Sequence, residues 1–229
     1  MTHQRPLGNW NRDCRVACLG LAFFAWLGPD PVLGQDRGAE ILHDAARRYG
    51  AVETLCAEFT QHLLVPLLGS ERTGHGRVCQ ANPNLFAMRF DDPAGDLIVV
   101  DGASAWVYFP SNDARTVLRT SADQSAGGRD FHREFLEDPD SRYVVSFEGV
   151  EEVEGRATYR IRMEPRQPMS YRFATVWIDQ AAPVLRRLRM EEANGNVRTV
   201  TLSNVEFGAE PGSAYFTFTP PDGALVMVR

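Results

Sequence analysis

The side chains able to do chemistry in this 229-residue chain are sparse and poorly matched. His62 and His75 lie on the two arms of what reads as one hairpin, where they would sit near one another, with Glu58 and Glu71 available beside them. Imidazoles and carboxylates are zinc-type ligands. On exposed strands, with no ligand motif around them, they read as solvated polar residues, and no metal is expected. Asp101 and Ser104 are an acid and a hydroxyl at short spacing, but Asp101-Gly102 is a turn signal that accounts for the acid. Glu151-Glu152 and Asp91-Asp92 are sequence neighbours, so on strands they point to opposite faces and cannot act as an acid–base pair. No HExxH, CxxC or Gly-x-Ser-x-Gly occurs. There is no lysine, which removes Schiff-base and phosphate-loop chemistry. The expectation is a protein that is not an enzyme and carries no cofactor. A net charge of −6 argues against a nucleic-acid partner.

What remains is apolar binding. In the stretch from Pro83 to Pro93, Phe86, Met88 and Phe90 alternate, so on a strand they share one face while Arg89 points away. Methionine fills irregular space, and three large soft side chains in a row form either ordinary sheet core or the wall of a greasy cavity. The rest of the chain favours the cavity. Leu55 and Phe59 precede this stretch; Ile98 and Val100, then Trp106 and Tyr108, follow it on short strands around Asp101-Gly102. Later, Ile161 and Met163, Phe173, and Met190 recur on what reads as one face, with Arg160, Arg162, Arg172, Arg187 and Arg189 on the other.

The elements needed to position these residues are mostly strands. Ile41, Leu42, Ala45, Ala46 and Tyr49 recur at helical spacing, predicting a helix over Asp36–Tyr49 that must dock on something. From Leu55 the period switches to two. A turn near residues 67 and 68 folds the chain back and places residue 56 opposite residue 79. Ser121 to Asp140 breaks the pattern: Phe131, Phe135 and Leu136 sit at helical spacing beyond Gly127-Gly128, and read as a hinged lid over a void. From Arg142 onward the chain is nearly all strand, with segments that include Glu151–Val153 and Tyr215–Thr219. The prediction is a mainly β fold: an unclosed antiparallel β-barrel of about eleven strands, with an N-terminal helix and short lid helices covering an apolar cavity.

Residues 1–34 read as a secretory signal peptide. Arg5, Arg12 and Arg15 precede the apolar block Val16–Leu27, and Val32-Leu33-Gly34 offers a small-residue cleavage site near Gly34. Residues 35–229 then form a single domain. Cleavage removes three arginines and two acids, taking the net charge from −6 to about −7, and removes Cys14 and Cys18. Cys56 and Cys79 remain as a pair in an oxidising compartment, so a disulfide is expected.

Four motifs in order then carry a resemblance: Phe59-Thr60-Gln61, Pro83-Asn84-Leu85-Phe86, Asp101-Gly102 with Trp106 and Tyr108, and Phe216-Thr217-Phe218-Thr219-Pro220-Pro221 with Gly223. Over essentially the whole chain after the leader it resembles the LolA family. The resemblance implies a periplasmic carrier that takes acylated lipoproteins from an inner-membrane ABC-type release complex and passes them to an outer-membrane lipoprotein receptor, as a monomer. It implies that Phe86, Met88 and Phe90 touch acyl chains. Asn82 stands where the family often has an arginine that helps hold the lid shut. Two other readings are a periplasmic lipid or lipoprotein sensor of RseB-like fold, regulating envelope stress, and a lipid-processing enzyme.

Overall fold

The computed structural model describes residues 1–2, 31–122 and 134–228. The apolar block of the leader and Phe131 and His132 lie outside the described residues. Helix α1 spans Pro31–Gly50, starting earlier than the apolar spacing predicts. Proline is well placed in a first helical turn, where its missing N–H costs nothing.

Twelve strands form one sheet in the order β12-β6-β5-β4-β3-β2-β1-β11-β10-β9-β8-β7. The first meander is β1 (Thr54–Val65), β2 (Ser70–Ala81), β3 (Leu85–Asp92), β4 (Leu97–Asp101), β5 (Ser104–Tyr108) and, after the short helix α2 (Pro110–Asp113), β6 (Thr116–Ser121). Helix α3 (Pro139–Arg142) leads into the second: β7 (Tyr143–Val153), β8 (Arg156–Pro165), β9 (Tyr171–Asp179), β10 (Leu185–Glu192) and β11 (Val197–Phe207). Pairing of β1 with β11 joins the two meanders. The last strand, β12 (Leu225–Val228), runs parallel to β6. The ends of the sheet, β12 and β7, do not pair with each other, so the barrel is unclosed, as expected.

Three details depart from expectation. Glu151–Val153 is not a separate strand; it continues β7 past an irregularity at Gly149, whose φ of 126° suits glycine. Tyr215–Thr219 is not a strand either. Ser213–Phe216 is a 3₁₀ turn, and the chain beyond it crosses the convex face of the sheet. The last strand of the chain is instead β12, at the edge.

The β1–β2 register puts Cys56 opposite Cys79, and they are bridged. A disulfide fits an oxidising compartment. On the next strand pair, Phe59 and Phe90 both face Gly76 across β1, β2 and β3. A Cβ on Gly76 would lie 2.1 Å from the Arg89 carbonyl oxygen, so β2 and β3 can approach this closely only with glycine. The missing side chain also lets the two rings meet edge-on at 4.8 Å over the strand between them.

Candidate functional site

The concave face of the sheet gathers a single large apolar cluster. Its strongest wall is β3, where Phe86, Met88 and Phe90 are 1%, 3% and 7% exposed. Strand registers bring their neighbours alongside: Met88 faces Val78 on β2 and Ile98 on β4, and Phe86 faces Val100. Leu55 and Phe59 on β1 extend the wall on one side; Ile161, Met163 and Met190 line it on the far meander. Helix α1 lays Leu42, Ala45 and Tyr49 into the same cluster. The Tyr49 hydroxyl accepts the Leu185 N–H at 3.2 Å, and burial pushes its pKa up to about 12.

Three residues predicted for this wall stand elsewhere. Trp106 and Tyr108 point to the convex face, where their rings meet Phe218 at 5.9 and 5.6 Å. Ala105 and Val107 take the inward places, opposite Val100 and Ile98. Phe173 also lies outside, beneath the Arg162 guanidinium, 3.6 Å from its ring centroid. Ala174 and Val176 point inward in its stead, facing Met163 and Ile161. An irregularity between Glu191 and Glu192 breaks the alternation of β9, so Tyr171 is inward although Phe173 is not.

The convex face has its own smaller cluster, made of the cystine, Ala87, Leu97 and Val99, covered by Phe216. Arg89 anchors the covering segment by donating from Nε to the Tyr215 carbonyl at 3.1 Å and from a terminal nitrogen to the Thr217 carbonyl at 2.7 Å. A depression of about 530 Å³ between Thr54, Leu85, Pro211 and Phe216 belongs to this side, not to the concave wall.

At one end the concave cluster closes on the segment Glu134–Leu136. Phe135 and Leu136 are 0% and 1% exposed, and Phe135 stacks near Tyr143 and Tyr171, with centroids at 6.2 and 5.9 Å. At this end Phe135 and Leu136 of the chain itself lie against the wall, out of contact with solvent. No local pattern foretells the polar tie beneath it. Glu134, 3% exposed, is met by both tyrosine hydroxyls: Tyr143 reaches its Oε1 at 2.9 Å, Tyr171 bonds the same oxygen, and the two hydroxyls lie 2.6 Å apart. Arg142 pairs with its other oxygen at 3.3 Å. Burial drives both tyrosine pKa values well above the ordinary range, and they stay protonated donors. Burial disfavours the Arg142 charge, but Glu134 beside it outweighs this and raises its pKa.

The other candidates for chemistry are spoken for. Asp101 accepts from the Ala103 and Ser104 N–H groups and from Trp106 Nε1 at 2.7 Å. Burial opposes its charge, but these bonds win and hold the carboxyl below its usual range. The Ser104 hydroxyl accepts from Arg119 at 2.9 Å. His62 and His75 are diagonal neighbours on one face of the β1–β2 hairpin, and the register alone gives no side-chain bond between them. His62 faces Thr73 and bonds Glu71 at 3.2 Å, while His75 faces Thr60. Among the described residues no group of three histidine, cysteine or acidic side chains is placed to hold a metal. Asn82, in place of an arginine, donates to the Val52 carbonyl at 2.7 Å and so ties the start of β1, not the Glu134–Leu136 segment.

The arrangement can bind apolar matter, provided its cover moves. Comparison with known proteins agrees with this shape. An outer-membrane lipoprotein carrier protein of Alkalilimnicola ehrlichii is 24% identical over 208 residues, spanning 90% of this chain and 92% of that one. One of the same name from Nitrosomonas europaea is 26% identical over 182 residues, spanning 76% and 82%. An uncharacterized conserved protein from Thermus thermophilus superposes with a TM-score of 0.53 at 13% identity, covering 83% of this chain and 98% of that one, which shows the common fold. Residues 50–219 match the model of the outer membrane lipoprotein carrier protein LolA, and the chain belongs to the LolA family.

Proposed function

We propose that this protein is a periplasmic chaperone that holds the acyl chains of lipoproteins and carries them from the inner to the outer membrane, without doing chemistry on them. The observation that carries this reading is the continuous apolar wall of β1, β3, β4, β8 and β10, covered by pieces outside the strand ladder: α1 and the Glu134–Leu136 segment. Here acyl chains would take the place of Phe135 and Leu136. Each buried CH₂ is worth about 0.8 kcal/mol, so a long chain compensates for the displaced contacts. Cargo would come from an inner-membrane ABC-type release complex and leave to an outer-membrane receptor. Residues 1–34, as a signal peptide, would direct export, and the Cys56–Cys79 bridge suits the destination.

The test is mass spectrometry of what co-purifies with the protein from its native periplasm, alongside Phe86→Ala. Triacylated lipoproteins or their lipid moieties, chemically unchanged, are the expected finding, with reduced recovery for the variant. Protein that emerges free of lipid, or lipid that emerges hydrolysed, would count against carriage.

A further inference from the structure

The hairpin of β1 and β2 ends in an apolar tip that serves no packing role. Leu67 and Leu68 are 89% and 73% exposed. They sit on a 3₁₀ turn, Pro66–Leu68, ended by Gly69 in the left-handed region at φ 59°. The tip outruns both neighbours: β1 pairs with β11 only as far as Leu64, and β2 pairs with β3 only from His75 onward. From Leu63 to Ser70 there is no charged residue. Below this collar the formal charges of Glu71 and Arg72 offset each other, with His62 on Glu71 at 3.2 Å and Arg72 donating to the neutral Asn112 side chain at 2.5 Å.

Two features choose the occupant. The backbone of the tip is already hydrogen-bonded within itself, by the Val65–Ser70 pair that closes the ladder and by Gly69 N–H to the Pro66 carbonyl at 3.1 Å. These bonds leave it fewer polar groups to desolvate, and the rest can stay hydrated in a headgroup layer, where a hydrocarbon interior would strand them. It is also convex, and its two leucines offer no polar atom to orient a protein partner. The strand registers further show where it lies. Leu64 faces Val197, Val197 faces Glu191, and Glu191 faces Phe173, near the start of β9. The tip thus projects from the same end of the half-barrel that Glu134, Phe135, Tyr143 and Tyr171 close.

We propose that the Pro66–Leu68 tip is a membrane-docking point, at which Leu67 and Leu68 enter the headgroup boundary of a phospholipid surface and set the covered end of the half-barrel against it. This goes beyond the carrier reading and stands without it. Two leucines give weak, reversible attachment, and the balanced collar makes it indifferent to lipid charge.

The experiment is flotation of the purified full chain with phosphatidylcholine vesicles and with equimolar phosphatidylcholine–phosphatidylglycerol vesicles, for wild type, L67S/L68S and L67F/L68F. Residues 1–34 are the same in all three, so their share of any binding cancels. The double serine variant is expected to lose at least about ten-fold in partition coefficient on both vesicles, and the phenylalanine variant to keep or exceed the wild-type value. Because the tip is exposed, melting temperatures should match. The proposal is overturned if wild type does not float, if the serine variant floats equally well, or if binding appears only on the anionic vesicle.

Discussion

Replacing Tyr171 by phenylalanine should loosen the cover without touching the wall. Its hydroxyl bonds the Glu134 carboxylate and lies 2.6 Å from the Tyr143 hydroxyl. A hydrogen bond to a charged group contributes about 1.5–3 kcal/mol. In the covered state that bond is lost. Once Glu134 has swung into water, the carboxylate has other partners and the change matters little. Uncovering should thus become easier by roughly ten- to 150-fold. If the uncovered form is the one that takes lipid, apparent affinity scales with its population, and an acyl fluorophore should bind Tyr171→Phe more tightly by up to that factor. Tyr215→Phe is the control. It removes a hydroxyl that donates to the Arg77 carbonyl at 2.9 Å on the convex face, so it should cost stability and leave affinity alone. A folded Tyr171→Phe protein with unchanged or weaker binding would refute the idea that Glu134 holds the cover down.

Two further perturbations test the frame. Cys56→Ala with Cys79→Ala opens a loop of sequence separation 23, for which chain entropy gives about 3.4 kcal/mol; urea unfolding should show most of this, and a loss under about 1 kcal/mol would mean that the hairpin and its Phe216 cover already do the work. Asp101→Asn should destabilise at neutral pH. The folded carboxyl titrates below its ordinary value, so its contribution is complete above the unfolded pKa and is lost as pH falls through the folded one. The gap between wild type and Asp101→Asn in urea midpoint should therefore be constant from neutral pH down to about 5 and narrow below about 4; a gap that widened on acidification would contradict the assigned hydrogen bonds.

Much of the sheet is legible in the sequence because alternation and turn chemistry agree over long runs. The β1–β2 turn residues alone set a register that pairs the cysteines. The same logic, carried one hairpin further, corrects the site. If Ile98 and Val100 face inward, a turn at Asp101-Gly102 puts Ala105 and Val107 on their face, and Trp106 and Tyr108 on the other. Size argues for placing those aromatics inward; parity sends them out, to meet the returning Phe218. Phe173 is harder. The irregularity between Glu191 and Glu192 that separates it from Tyr171 has no local signature in either strand. Glu134 is invisible for a different reason: a buried carboxylate is stabilised by partners from β7 and β9, and spacing along one segment carries no trace of them.

These pieces divide the energetics of the molecule in a way that suits holding and letting go. The ladder from β12 to β7 is continuous, and breaking it anywhere would cost many cooperative hydrogen bonds. The cover is not in the ladder. On the described side it is held by two aromatic contacts, the burial of Phe135 and Leu136, and a knot of three side chains, Tyr143, Tyr171 and Arg142, around Glu134. The tyrosines of that knot belong to the sheet and Glu134 belongs to the cover. Opening thus separates a carboxylate from fixed donors and hydrates it, while one hydroxyl freed from the carboxylate can turn to donate to the other, 2.6 Å away. That makes the closed state specific in geometry, and the cost of leaving it is the transfer of Phe135 and Leu136 plus the Glu134 bonds, which water partly replaces.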